Sequence, residues 1–304
     1  MACCYLVERG PDVAFVEAGT NPGVPGLLAL LAERGIARER VRYVIVTHVH
    51  LDHAGGAGAL MAALPAAKLV VHARGARHLI DPAKLIAGAT AVYGAQAVAD
   101  MYGAIQAVPE SRVLTPADGE ALPFGDGELL FVDTPGHARH HFSIWDATSQ
   151  GFFTGDTFGL SYRDFDDATR PGPVWLMPTT TPVQFEPEAW FATLDRYLSF
   201  QPQRMYLTHY SVVEHVPELA AQLRAGLERY VAIGQRLAKA PDRHQQLKAA
   251  MADDAMKALR QRQSPLAESK VMALLEMDLE LNAQGSMAGP RGLNPITTLP
   301  RELP

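Results

Sequence analysis

Cysteine is almost missing from this chain: two residues in 304, Cys3 and Cys4, and they are neighbours. Adjacent cysteines seldom bridge each other, and these lack the C-x-x-C spacing of a zinc knuckle. They read as small apolar strand residues in a reducing compartment. A chain this long can build its core without disulfide staples. An excess of positive charge is also missing, with 27 Lys+Arg against 33 Asp+Glu and a net charge of -6. That balance excludes a broad nucleic-acid-binding face, which needs clustered cations to displace counterions. No uncharged apolar run reaches the ~18 residues of a membrane span. The most apolar candidate, Leu85 to Val108, is mostly Ala and Gly and carries Asp100. The first apolar stretch ends at Glu8-Arg9-Gly10 with no basic region before it, so it does not read as a signal peptide. The expectation is a cytoplasmic protein acting on a small molecule, with neither nucleic acid nor membrane as partner.

Apolar residues at 48% and charged residues at 20% are ordinary values for a globular domain. A β-hairpin is expected at the start, Cys4–Glu8 and Val13–Glu17 around Gly10-Pro11-Asp12. Pro25 to Arg34 has helical spacing, Val41 to Thr47 reads as a buried strand, Gly55 to Leu64 as a helix and Lys68 to His72 as the next strand. Strand–helix–strand order with short links predicts an α/β sandwich. Residues 74–110 look helical and Ala-rich. Strands resume at Glu128–Asp133, Phe142–Asp146 and Gly151–Thr154. Gly159 to Pro187 is long, rich in Pro and Thr, and aperiodic, a length that usually marks a functional loop. A helix over Pro187–Phe200 and a short strand over Met205–Thr208 follow. Beyond 212 only helical periods remain: Val216–Ala240, Arg243–Arg262 and Leu266–Leu281. The predicted organisation is a catalytic domain over 1–212, a helical extension over 213–285 that packs on the domain or on a second subunit, and a poorly ordered Gly/Pro-rich tail over 286–304.

The chemistry concentrates in Thr47-His48-Val49-His50-Leu51-Asp52-His53-Ala54-Gly55-Gly56, between a buried strand and a helix. In extended chain, residues i and i+2 point the same way, so His48 and His50 can grip one ion. Asp52 and His53 sit on the turn into the helix and can address a neighbouring ion. Imidazoles and a carboxylate suit Zn²⁺ first, with Fe or Mn as alternatives. Three more strand ends each deliver one ligand-type side chain: His137 in Thr134-Pro135-Gly136-His137, Asp156 in Phe153-Thr154-Gly155-Asp156, and His209 in Leu207-Thr208-His209.

THVHLDHAGG, DTPGHARHH, FFTGDTFG and YLTHY, in this order, resemble the metallo-β-lactamase-fold hydrolase superfamily over roughly residues 3–212. The resemblance implies an αββα sandwich with two divalent metals at one edge. It assigns His48, His50 and His137 to one ion, Asp52, His53 and His209 to the other, and Asp156 to both. Two such ions, about 3.5–4 Å apart, generate hydroxide near neutral pH and stabilise an oxyanion. Asp52 then orients the hydroxide or takes its proton. The implied reaction is hydrolysis of an ester, thioester or lactone, with no Ser or Cys nucleophile.

Within that superfamily, Asp156 argues against a dedicated β-lactamase, and His50 stands where the flavin-linked di-iron reductases carry Glu. Quorum-quenching lactonases place a Tyr three residues after the bridging Asp; here that position is Gly159, and Tyr162 is offset by three. The glyoxalase II-like branch shares the seven ligands, although its basic glutathione-binding pattern is not matched in 213–285. Two other activities stay open: a metal-containing ligand-binding or regulatory protein with little catalysis, and a mononuclear iron persulfide dioxygenase. Glu17 replaces the usual Asp of the family's N-terminal loop and is expected to brace the metal segment. His141 is expected behind the ligands, while His72 and His78 read as structural. Segments 74–110 and 158–185 are expected to meet above the ions in a largely apolar pocket, with Tyr162, Arg163, Trp175 and His141 as its candidate residues.

Overall fold

The computed structural model describes residues 2–167, 174–180 and 184–287. Contacts divide the chain into two compact units, one of residues 1–133 with 140–155 and the other of 134–139 with 156–304. The boundary expected at 212 therefore falls inside the second unit, and that unit also takes the short 134–139 segment.

In the first unit, a sharp turn at Gly10-Pro11 pairs β1 (Tyr5–Arg9) with β2 (Asp12–Val16). The hairpin starts one residue later than the sequence predicts, so Cys3 and Cys4 precede the strand as half-buried free thiols. α1 (Val24–Glu33) leads to β3 (Val41–Ile45), whose burial on both faces is broken only at Arg42. α3 (Ala57–Ala63) is the helix expected over Gly55–Leu64, the short α2 (Leu51–Ala54) precedes it, and β4 (Lys68–Val70) follows. α4 (Ala73–Ile80), α5 (Ala83–Tyr93) and α6 (Ala95–Tyr102) occupy the helical segment predicted over 74–110 as far as Tyr102, and 103–109 is irregular. Gly94 and Gly103, both at positive φ, end α5 and α6.

β5 (Val113–Leu114) closes a sheet of order β1-β2-β3-β4-β5, parallel from β2 onward. β6 (Ala121–Phe124), β7 (Gly127–Asp133), β8 (Phe142–Asp146) and β9 (Gly151–Gly155) form an antiparallel meander. The unit's core gathers Phe15, Val44, Val46, Leu60, Leu69 and Val71, all fully buried. Alternate residues of the parallel strands and one face each of α1 and α3 supply it.

The second unit holds α7 (Pro187–Ser199), the short antiparallel pair β10 (Arg204–Leu207) and β11 (Val212–Val213), and then α8 (Val216–Arg236), α9 (Arg243–Gln261) and α10 (Glu268–Met287). Pro in the first turn of α7 and α8 fits the position where its missing N–H costs no helical bond. Tyr230, Met251, Met256, Leu275 and Leu279 of the last three helices pack with Leu160, Phe165, Trp175 and Met177. α10 runs past the predicted Leu281, and the predicted tail lies outside the described residues from 288 on. Among the described residues no helix is long and apolar enough to cross a membrane.

Candidate metal centre

Four of the seven predicted ligands lie in the first unit. His48 and His50 follow β3, and the backbone carbonyl of His50 accepts from the N–H groups of His53 and Ala54 as α2 begins. Asp52 and His53 therefore occupy the first turn of a helix. His48 Nε2 and His50 Nδ1 approach to 2.8 Å, and His53 Nε2 stands 3.4 Å from Asp52 Oδ2. Donors on a tetrahedral ion with ~2.0–2.1 Å bonds are about 3.3 Å apart, so both spacings suit atoms gathered for a cation.

Glu17 sets these rings. It is 1% exposed and sits at φ 70, a conformation that side-chain-bearing residues rarely adopt and hold only where the surroundings enforce it. The enforcement is visible. Glu17 N–H donates to Ile45 O, and Thr47 donates to the carboxylate through Oγ1 at 2.6 Å and N at 3.3 Å. His53 Nδ1 lies 3.0 Å from Glu17 Oε1. Since Thr47 Oγ1 donates to Glu17, its lone pairs are left to accept from His48 Nδ1 at 3.0 Å. Both imidazoles are thus held as Nδ1–H tautomers with Nε2 as the ligand atom. The bracing role expected of Glu17 is the role it plays. Thr47, whose part in this chain the sequence did not disclose, relays it.

His141 is 1% exposed and stacks on His48 with ring centroids 4.9 Å apart. Gly155, at the end of β9, has φ 50, and a Cβ there would come within 2.4 Å of Thr47 Oγ1 and 2.5 Å of His141 Nε2. Only glycine fits both the backbone and the space. Beside Asp52, burial pushes the Tyr93 and Tyr102 phenols up, and the Asp52 charge adds to the shift. Their rings are 6.3 Å apart, which brings the end of α5 and the end of α6 together. Val92 and Met101 in the same helices are 43% and 38% exposed. His72 caps α4 by accepting from Arg74 N–H, a structural role.

The other three predicted ligands lie in the second unit. Asp156 is 6% exposed and offers one oxygen to each of two histidines: Oδ2 is 3.3 Å from His137 Nε2, and Oδ1 is 3.4 Å from His209 Nε2. His137 Nδ1 lies 2.7 Å from the carbonyl of Thr179, again fixing Nδ1–H and leaving Nε2 toward the acid. The turn that carries His137 is held by α7. Thr193 Oγ1 donates to Pro135 O and Glu186 N–H to Gly136 O. Gly136 sits at φ 130, where a Cβ would lie 2.4 Å from Trp190 Cβ and 2.6 Å from Trp190 Cα. His209 is fixed through its backbone, whose carbonyl accepts from Ser161 N–H at 3.0 Å.

The residues expected in a pocket wall are placed as follows. Tyr162 donates its hydroxyl proton to Asp278 Oδ2 on α10 at 2.6 Å. Arg163 is largely exposed, lies 4.0 Å over the Tyr210 ring and hydrogen-bonds its hydroxyl. Trp175 is 7% exposed and belongs to the apolar core of the second unit, its ring 5.5 Å from that of Phe165. Residues 168–173 and 181–183 of the 158–185 loop lie outside the described residues. Arg139 pairs with Glu186 on the surface at 2.6 Å. Asp278, Thr179, Thr180 and Asn282 touch the ligand set or its neighbours and were not singled out by the sequence. Two polar residues one turn apart, Asp278 and Asn282, inside an otherwise apolar helical stripe were the available signal.

Imidazole and carboxylate atoms turned inward by protein hydrogen bonds, on an α/β scaffold, make a candidate divalent-metal site on a sandwich-class fold. The chain belongs to the metallo-beta-lactamase superfamily, whose family model matches residues 2–209. The fold is the expected α/β sandwich, with appended C-terminal helices. The chain is 25% identical over 240 residues to the metallo-beta-lactamase fold-containing protein ST1585 of Sulfurisphaera tokodaii, covering 72% of this chain and 84% of that protein. It is 32% identical over 142 residues to a hydroxyacylglutathione hydrolase of Anaeromyxobacter dehalogenans, a match covering 45% of this chain and about half (49%) of the relative. Among solved structures, the metallo-beta-lactamase family protein TTHA1429 of Thermus thermophilus superposes with a TM-score of 0.60 at 23% identity, over 82% of this chain and 81% of that one.

Proposed function

We propose that the chain is a dinuclear metal-dependent hydrolase of the glyoxalase II-like branch, acting on an ester, thioester or lactone. His48, His50 and His137 would hold one ion, Asp52, His53 and His209 the other, and Asp156 both. The observation that carries this reading is the division of Asp156, one oxygen toward His137 and the other toward His209. A carboxylate in that position is what a bridge between two ions requires. The donor chemistry fits: neutral imidazoles, His50 through Nδ1 and the others through Nε2, and carboxylates, without thiolates, suit Zn²⁺, Fe or Mn. Ions so held would lower the pKa of water and polarise the substrate oxygen.

The protein side of the reaction falls to few groups. Asp52 keeps its side chain 39% exposed with one oxygen beside His53 Nε2, so its other oxygen can accept a proton from water. Glu17 and Thr47 hold His53 and His48 in one tautomer through turnover. Tyr93, Tyr102 and the exposed apolar side chains of α5 and α6 would line the approach to Asp52 and exclude water from an apolar acyl or alcohol moiety. Likeness to a hydroxyacylglutathione hydrolase over half its length supports a thioester as the first substrate to try.

The test is a panel of aryl esters, lactones and acyl thioesters, assayed alongside metal analysis of protein purified without chelators. Turnover with close to two ions per chain is expected, abolished by chelation and restored by Zn²⁺, Fe or Mn. Full turnover by metal-free protein would sink the proposal. No turnover by fully loaded protein would move the assignment to a ligand-binding or regulatory role, and oxygen consumption with a persulfide would move it to a dioxygenase.

A further inference from the structure

Helix α10 lies well over a hundred residues after His137 in the chain, yet hydrogen bonds connect it to the ligand set of the second unit. Asn282 occupies a core position of that helix, 2% exposed between fully buried Leu279 and Ala283. A primary amide in such a place must satisfy its donors and acceptor or cost about 1–3 kcal/mol for each group left without a bond. Asn282 satisfies them on one strip of chain. Its Nδ2 donates to Pro178 O at 3.0 Å, and its Oδ1 accepts from Thr180 N at 2.6 Å and Thr180 Oγ1 at 3.0 Å. Its backbone carbonyl accepts from Thr180 Oγ1 as well. The residue between Pro178 and Thr180 is Thr179, whose carbonyl takes His137 Nδ1 and whose Oγ1 donates to Asp156 O at 2.8 Å.

One turn earlier on the same helix face, Asp278 accepts from Tyr162, the neighbour of Ser161, whose N–H is bonded to the His209 carbonyl. All three ligands of this unit are therefore reached from two positions of α10.

We infer that Asn282 is a positioning residue for the metal ligands: by clamping Pro178 and Thr180 it aims the Thr179 carbonyl at His137 Nδ1 and fixes Nε2 as the ligand atom. This rests on the proposed metal centre but assigns a role to the C-terminal extension that the ligand motifs do not contain. Asn fits the place and its neighbours in chemistry do not. Ala leaves the Pro178 carbonyl and the Thr180 amide without their bonds, and Asp offers no donor to Pro178 O.

Two readouts test it, and neither is turnover. The first is Zn²⁺ affinity, measured by titration against a chromophoric chelator. The second is the His137 tautomer in metal-free protein, read from two-bond ¹H–¹⁵N correlations of the imidazole. Asn282→Ala, and the isosteric Thr180→Val should the first fail to fold, are expected to weaken Zn²⁺ retention by about 10–100-fold and to convert a pure Nδ1–H signal into a mixture. Leu279→Ala on the same helix should lower the melting temperature and leave both readouts at wild type, because it removes packing and no hydrogen bond. Wild-type affinity and tautomer in Asn282→Ala and Thr180→Val would overturn the inference, as would equal changes in Leu279→Ala. If wild-type protein takes up no Zn²⁺, the proposed centre falls, and the imidazole spectra alone still decide for or against Asn282.

Discussion

His48, His50, Asp52 and His53 fall within six consecutive positions, and one carboxylate from the end of β2 orients two of them. His137, Asp156 and His209 are spread over more than seventy positions and are held by α7, by Ser161 and Thr179, and by α10. The first set is local, with its geometry implicit in a strand end and the first turn of a helix. The second is assembled, and its geometry depends on distant hydrogen bonds that cost more chain entropy to close. A local set tolerates change in the rest of the molecule, whereas an assembled one depends on each hydrogen bond that reaches it from a distant element.

The sharpest way to break the comparison is Asp156→Ala. Removing the carboxylate that faces two histidines should cut hydrolysis by about 10³-fold or more and lower the bound metal, with an unchanged circular dichroism spectrum. Full activity in a folded Asp156→Ala protein would mean that the assembled set is dispensable.

Next in size are two core truncations that separate the units. Leu69→Ala in the five-stranded sheet and Leu275→Ala in the helical core both remove fully buried side chains and should each cost about 2–5 kcal/mol. Only Leu275→Ala should speed hydrogen exchange at the Ser161 and Thr180 amides, which are bonded to His209 O and Asn282 Oδ1. Equal acceleration by Leu69→Ala would erase the distinction between the units.

A third change addresses the local set. Glu17→Gln replaces a carboxylate that accepts from Thr47 and His53 by an amide whose NH₂ faces one of those donors. The expected outcome is a loss of about 1–3 kcal/mol of stability and a 10–100-fold weaker grip on metal, measured by melting and by chelator competition.

The smallest effect concerns Cys4. Burial, and secondarily the nearby Glu17 charge, push its thiol up to about 12, so the neutral form is favoured in the fold. A raised folded pKa gives stability that is fully present below the unfolded value of 9.0 and is lost as pH rises toward 12. In metal-free protein at pH 9, mass spectrometry after iodoacetamide treatment should find Cys4 alkylated roughly 10²–10³-fold more slowly than an ordinary thiol.

What the sequence disclosed follows the same division. His48 to His53 were legible because a period of two along a strand and one helical turn fix which side chains converge. The three C-terminal helices were legible from their apolar stripes, with starts at Val216 and Arg243 matching the structure. β5, β6 and β11 were not: β5 and β11 have two residues each, too few for alternation to register, and β6 carries Pro123, which speaks against a strand. Trp175 looked like pocket wall because it sits in an irregular loop, yet the helices after 216 close over it as core. Asn282 stayed hidden because its partners lie about 102 positions away, and no local pattern encodes a contact at that range.

The order in which ribosomes deliver the chain gives the bracing by α10 a further meaning. Unit one's ligands and Glu17 emerge early, and their mutual bonds can form as soon as β2 to α2 have left the exit tunnel. Asp156 must wait for residues 268–287 before Thr179 is clamped, an interval on the order of ten seconds at ~5–20 residues per second. A nascent chain thus carries a finished half of its ligands beside an unfinished half for most of its synthesis. Loading of the proposed centre would then be a late event, and a chain interrupted ahead of α10 would present the first four candidate ligands without the brace for the other three.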